Sequence, residues 1–178
     1  MAYIKCIEPN MQNVTDYVVT ATANDTIELP AVDSCMGVIF IKDDFSMVAG
    51  HIGMFGYGPT ADNVGDGCTK IIVEEMLRRV HNPKDIKRVI VVTDIAQGDL
   101  GMGYPADPSY FNPSDPSRLI LAQGGGPLLV TKIAKGGKCV DVVVVGMASF
   151  LHIYQTKGKQ LLYSKPFNLL PVGGVTRY

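Results

Sequence analysis

The sequence lacks the features that would place the protein in a membrane or on a nucleic acid. No apolar run approaches the length of a membrane-spanning helix, and the start MAYIKCIEPN lacks the apolar core of a signal peptide. No basic block is present and the net charge is −1, so the composition favours neither a nucleic-acid partner nor an anionic membrane surface. We therefore expect a cytoplasmic protein, or one secreted into a host cell without a conventional signal peptide.

The cysteines also lack the spacing of a structural metal site. They stand at positions 6, 35, 68 and 139, without a CxxC pair, so reduced thiols are expected rather than a zinc ribbon. The chain has 178 residues, of which 47% are hydrophobic and 19% charged, and it shows neither an internal repeat nor a linker. These values predict one globular domain over 1–178, with a substantial core.

Short β-branched and aliphatic runs bounded by Gly, Pro, Asn or Asp dominate the chain and predict strands. One segment has helical spacing instead, from about Asp66 to Val80, and Asn82-Pro83 follows it as a stop signal. The predicted strands are Tyr3–Ile7, Asp16–Thr22, Met36–Ile41, Phe45–His51, Lys87–Thr93, Arg118–Gln123, Leu128–Ile133, Val140–Met147 and Leu161–Ser164. The pattern predicts an α+β fold.

The stretch DSCMGVIFIKDDFSMVAGHIG holds one cysteine and one histidine, sixteen positions apart. If Lys42–Asp44 forms a three-residue hairpin loop, Ile41 pairs with Phe45, and the same register brings Cys35 directly opposite His51. A two-residue loop would leave the two residues diagonal but still near each other. Both faces of the hairpin are apolar, which predicts a sheet between two other layers, with helix on sheet on sheet.

A thiol beside an imidazole has two interpretations. In the catalytic one, His51 accepts the proton of Cys35, and the thiolate attacks a carboxamide carbon. Backbone N–H groups of Cys35 and Met36 would then hold the developing oxyanion. In the structural one, both residues belong to the core, because cysteine is among the most buried residue types.

The order of these features resembles the superfamily of cytotoxic necrotizing factors and chemoreceptor glutamine deamidases. A cysteine on a strand, a short hairpin and a histidine are followed by GHIGMFGYGP, an amphipathic helix and the strand KRVIVV, over roughly Leu29 to Thr93. The resemblance implies a layered α/β/β sandwich of mostly antiparallel sheets and no cofactor. It also implies a toxin or effector that hydrolyses a glutamine side chain of a protein partner through a Cys35 thioester, with His51 as the base. If an amine outcompetes water, transglutamination is the variant outcome.

In these families a hydroxyl or a main-chain carbonyl orients the histidine. Leu29 stands six positions before the cysteine, where the chemoreceptor enzymes have a threonine. The expected substitutes are Thr26 or a carbonyl within Pro30–Ser34. The resemblance thus leaves the third catalytic position to be found in the structure.

The pattern VDSC…AGHIG is also similar to that of the laccase-domain proteins, which are purine nucleoside phosphorylase-like. Those proteins bind zinc through the cysteine, the histidine and a further histidine upstream. No histidine precedes Cys35 here, and the other two are His81 and His152, so a three-ligand catalytic zinc site is not expected. A non-catalytic binding module on the same fold is the remaining alternative.

The segment Asp94–Ser117 is rich in Gly, Pro and Asp and carries no strand or helix pattern. Loops of this length inside a compact domain are uncommon and are usually functional or mobile. The segment is predicted to cover the site, and its aromatic residues Tyr104, Tyr110 and Phe111 are the candidates for substrate binding. In the binding-module alternative, the same loop would be the contact surface.

Overall fold

A computed structural model describes residues 1–7, 17–33, 35–53, 66–94, 120 and 123–178. Strands dominate these residues, and one α-helix accompanies them. In chain order the elements are β1 (Tyr3–Lys5), β2 (Val18–Ala21), β3 (Thr26–Val32), β4 (Cys35–Lys42), β5 (Met47–Gly53), α1 (Asp66–Val80), β6 (Ile86–Val92), β7 (Leu129–Ala134), β8 (Val140–Val145), β9 (Phe150–Gln155), β10 (Leu161–Pro166) and β11 (Thr176–Arg177).

The strands form two sheets. The front sheet has six strands in the order β11-β7-β6-β4-β5-β2, and the back sheet has five in the order β1-β3-β8-β9-β10. The β1–β3, β6–β7 and β7–β11 pairs are parallel. The other pairs formed by the described strands are antiparallel. β4 is an interior strand of the front sheet, so its first residue does not lie on an edge strand.

The front sheet lies between α1 and the back sheet. On its outer face, Ile72 and Met76 of α1 pack over β5, where Gly50 leaves room for the helix. A Cβ atom at Gly50 would lie 2.7 Å from the sulfur of Met76. On its inner face, Ile39 and Ile90 belong to the apolar core shared with the back sheet. This arrangement confirms the predicted α+β sandwich and explains why both faces of the hairpin are apolar.

The β4–β5 hairpin corrects the predicted register. Ile41 pairs with Met47 rather than with Phe45. The loop starts one residue later than expected, because Phe45 adopts a left-handed backbone conformation with φ of 64° and joins the turn. The amide of Lys42 then bonds the carbonyl of Ser46 at 2.9 Å. When the three-residue loop moves by one residue along the chain, the pairing partner of every strand residue changes by two positions. Each side chain therefore stays on its predicted face of the sheet.

Of the other predicted helices and strands, most were confirmed and one was wrong. The helix Asp66–Val80 has the predicted bounds, and the predicted strands before and after it are present with ends shifted by a few residues. The predicted strand Arg118–Gln123 is wrong, because Ile120 is helical and residues 123–124 form a turn. Strands β3, β9 and β11 were not predicted.

Candidate active site

Cys35 and His51 lie on the inner face of the front sheet, at the end remote from the hairpin turn. Cys35 lies opposite Gly53, and His51 lies opposite Gly37. The pair is therefore diagonal rather than directly opposed, and such positions are about 7–8 Å apart, within reach of an aromatic or long side chain. Both residues are buried, with 4% and 1% of their surface exposed.

The imidazole of His51 is held by a main-chain carbonyl. Its Nδ1 lies 2.9 Å from the carbonyl oxygen of Cys6. A carbonyl oxygen only accepts hydrogen bonds, so Nδ1 carries the proton in this interaction. In the neutral ring, Nε2 is then the basic nitrogen, which is the atom that can accept a thiol proton.

The Cys6 carbonyl is itself fixed from two directions. The amide of Cys6 donates to the carbonyl of Glu28 at 2.8 Å, which continues the parallel β1–β3 pairing of the back sheet. The Cys6 thiol lies 3.3 Å from the carbonyl oxygen of Tyr17 and 3.8 Å from that of Ala49 in the front sheet. Burial raises the pKa of the Cys6 thiol to about 12, which favours the neutral thiol as a donor to these carbonyls.

The group that orients His51 therefore differs from the expected ones. Thr26 pairs with Tyr3 and Val145 and lines a groove on the outer face of the back sheet with Glu28. The sandwich interior separates that face from Cys35 and His51, so the structure does not bring Thr26 to the pair. The described part of Pro30–Ser34 is not the partner of Nδ1 either. The Cys6 carbonyl takes this place, and no side-chain signal in the sequence could have marked it.

The predicted oxyanion donors are the amides at the start of β4. The pairing of β4 with β6 begins at Gly37, which lies opposite Val92. Cys35 and Met36 therefore extend beyond the paired part of β6. Successive amides along a strand point to opposite edges, so one of these two N–H groups faces the β6 side. The oxyanion role of Cys35 and Met36 remains a prediction.

An ion pair with one buried partner, Lys135, lies at the same end of the front sheet. The ammonium group of Lys135 is 2.9 Å from a carboxylate oxygen of Asp94 and 3.1 Å from the carbonyl oxygen of Lys138. The other Asp94 oxygen accepts from the amide of Gly137 at 3.0 Å. Burial raises the pKa of Asp94, but the hydrogen bonds from Gly137 and Lys135 outweigh it and hold the pKa below its ordinary value.

This ion pair was not predicted from the sequence. The one sequence feature that could have indicated the ion pair was a lysine between the apolar end of β7 and Gly136-Gly137. Because β4 and β6 are antiparallel, Asp94 lies at the end where β4 begins with Cys35. Asp94 is also the first residue of the segment predicted to cover the site. The pair thus fixes the start of that segment near the candidate nucleophile.

The predicted substrate-binding residues Tyr104, Tyr110 and Phe111 lie outside the residues that the structure describes. So does the rest of the predicted loop after Asp94. Their roles stay predictions.

The remaining histidines are distant from the pair in the fold. His81 is exposed just after α1, and His152 lies in β9 with its Nδ1 2.9 Å from the hydroxyl of Ser164. Within the described ranges, no three His, Cys, Asp or Glu side chains converge in a way that could hold a metal ion. The described residues therefore offer no ligand set for the zinc alternative.

No protein-family model matches the chain, and no curated protein matches it significantly. In the part of the chain that the structure describes, no helix is both long and apolar enough to cross a membrane. Any functional assignment depends on the geometry of the residues themselves.

Proposed function

We propose that this protein is a cysteine amidohydrolase that converts a glutamine side chain of a protein substrate to glutamate. The observation that carries the proposal is the hydrogen bond between His51 Nδ1 and the Cys6 carbonyl. It selects the tautomer whose Nε2 is basic, on the face of the sheet that also carries Cys35. A histidine held in this way by a third group is the usual arrangement for activating a nucleophile.

In the first half of the reaction, His51 Nε2 accepts the thiol proton and the Cys35 sulfur adds to the carboxamide carbon. The amide oxygen takes up negative charge, which the amides of Cys35 and Met36 would stabilise. The imidazolium then returns its proton to the departing nitrogen. The carbon–nitrogen bond breaks, ammonia leaves and a thioester remains on Cys35.

In the second half, water replaces ammonia. His51 Nε2 takes a proton from water as the oxygen attacks the thioester carbon, and the carbon–sulfur bond breaks. The Cys35 sulfur recovers a proton and glutamate is released. An amine in place of water would give a transglutaminated product through the same thioester.

The burial of the pair supports a side-chain amide as substrate. Only 4% of the surface of Cys35 is exposed, so a bulky or rigid group is poorly suited to reach its sulfur. A glutamine carboxamide stands at the end of two methylene groups and can extend away from a folded backbone. A backbone peptide bond within a folded partner lacks this reach.

Incubation of bacterial and eukaryotic cell lysates with the protein in oxygen-18 water tests the proposal. Hydrolysis through a thioester inserts one oxygen from water, so target glutamines should gain about 3 Da, against about 1 Da in ordinary water. We expect labelled sites with the wild type and with Cys139→Ala, a control that removes another thiol. We expect none with Cys35→Ala. The same labelled sites with and without Cys35, or no labelled site in any lysate, would contradict the proposed function.

A further inference from the structure

A pocket lies between the sheets at the hairpin end, away from Cys35. It has a volume of about 390 Å³, which is within the range of small-molecule sites. One of its lining residues, Arg88, pairs with Ile41 on the neighbouring strand. Ile41 is six residues along β4 from Cys35, so the two sites are about 20 Å apart at 3.3 Å per residue.

Most of the pocket wall is apolar, and its charged groups are mainly basic. The apolar lining consists of Ile41, Phe45, Leu129, Ala148, Pro166 and Phe167. The basic residues are Lys42, Lys87 and Arg88, and the acidic one is Asp43. The lining therefore carries a positive excess beside an apolar surface, which is the environment that an amphipathic anion requires.

Arg88 is the residue that points to a ligand. Its Nη1 atom is shielded from solvent and has no hydrogen-bond partner among the residues that the structure describes. Burial also lowers the pKa of its guanidinium group, with no described carboxylate pairing to offset the effect. Leaving a buried charged donor unsatisfied costs stability, about 1–3 kcal/mol or more. Such a group calls for an explanation, and an anion bound at the guanidinium group would supply the missing charge pairing.

We propose that this pocket binds a small organic carboxylate, whose carboxylate group pairs with Arg88 and whose apolar body packs against Phe167 and Leu129. A guanidinium group presents a planar set of donors that matches the two oxygens of a carboxylate. A compact ring system fits within the pocket volume of about 390 Å³. This site is separate from the proposed hydrolase function and does not depend on it.

The first test uses 1-naphthoate as the probe and 1-naphthalenemethanol as its neutral counterpart, with binding measured by calorimetry and ligand-detected NMR. We expect the wild type to bind naphthoate with a Kd of about 1 mM or tighter. The neutral alcohol should bind at least tenfold more weakly. No naphthoate binding up to about 10 mM, or equal binding of the alcohol, would overturn the proposal.

Three variants locate the site. Arg88→Met removes the charge at similar length, and we expect naphthoate binding to weaken at least tenfold. Arg78→Met makes the same change on the exposed surface of α1, where the arginine side chain is 65% exposed, and should leave binding unchanged. Ala148→Trp fills the pocket from its rim and should abolish binding while Arg88 is kept. Unchanged binding in Arg88→Met or Ala148→Trp would overturn the assignment.

A stability measurement separates a ligand-binding Arg88 from a structural one. If Arg88 is kept for a ligand, Arg88→Met should unfold at the same or a higher denaturant concentration without ligand. Added naphthoate should then stabilise the wild type but not this variant. A marked loss of stability in Arg88→Met would show that the residue supports the fold instead, and would contradict the proposal.

Discussion

Replacing His51 with glutamine is expected to slow glutamine hydrolysis by about 100-fold or more, the usual contribution of a positioned general base. The glutamine amide takes the position of Nε2 but is not basic, so the change removes the base, and the Nδ1 donor to the Cys6 carbonyl is lost with it. The matched control is His152→Gln, because that histidine also has a hydrogen bond at Nδ1 but lies on β9 of the back sheet. The control should keep full activity.

The pH dependence of Cys35 alkylation gives the same comparison without a known protein substrate. If His51 Nε2 takes the thiol proton, the wild type should keep much of its alkylation rate between pH 9 and pH 6.5. The His51→Gln variant should lose far more of its rate over this interval, because hydroxide must then remove the proton. Parallel pH profiles for the wild type, His51→Gln and His152→Gln would contradict the role of His51 as base.

Replacing Asp94 with alanine is expected to lower the free energy of unfolding by about 3 kcal/mol. The reason is the unequal burial of the ion pair: the Lys135 side chain is 1% exposed, whereas that of Asp94 is 43% exposed. Without Asp94, the ammonium group keeps only the carbonyl of Lys138 as its described partner. Breaking a buried pair by removing one partner typically costs 3–5 kcal/mol, and the remaining carbonyl places this case at the lower end.

The reverse change is the matched control. Lys135→Met removes the buried charge itself and leaves Asp94, which water can reach. We therefore expect it to cost clearly less than Asp94→Ala in denaturant unfolding at pH 7. Equal losses in the two variants would contradict the unequal roles of the two residues.

The stability effect of Asp94 also has a defined pH dependence. Its pKa is lower in the folded protein than its ordinary value of about 3.9, so the carboxylate stabilises the fold above that pH. This contribution is lost as the pH falls through the folded pKa and the carboxylate is protonated. The difference between the wild type and Asp94→Ala should therefore be full at pH 7 and shrink below about pH 4.

The parts of the fold that local signals determine could be predicted from the sequence. The helix Asp66–Val80 was predicted with its bounds, because apolar spacing and the Asn82-Pro83 stop are local features. The strand β3 was missed, because Glu28 and Pro30 interrupt its apolar pattern. Glu28 lies on the outer face of the back sheet, where it accepts a hydrogen bond from the hydroxyl of Tyr3 at 2.8 Å. That partner comes from a strand far away in sequence.

For the candidate site, the sequence allowed the side chains to be predicted, but not their register or the main-chain group that orients His51. Cys35 and His51 were identified and do share one face, but their register depended on the backbone conformation of Phe45. Positive φ is uncommon for a residue other than glycine, and the sequence carries no signal for it at this position. The group that orients His51 is a main-chain atom of Cys6. It reaches the front sheet only because β1 pairs with β3 in the other sheet, a long-range contact that a sequence pattern does not contain.

Mapping the alkylation order of the four cysteines at neutral pH tests the central claim, that Cys35 is an activated nucleophile, most directly. Without activation, labelling of the three cysteines whose burial is described should follow exposure, so half-buried Cys139 would react before Cys35, and Cys35 before fully buried Cys6. With His51 as base, iodoacetamide should modify Cys35 first, as read from digested protein at short times by mass spectrometry. Labelling of Cys139 ahead of Cys35, or uniform labelling of all four thiols, would contradict the account.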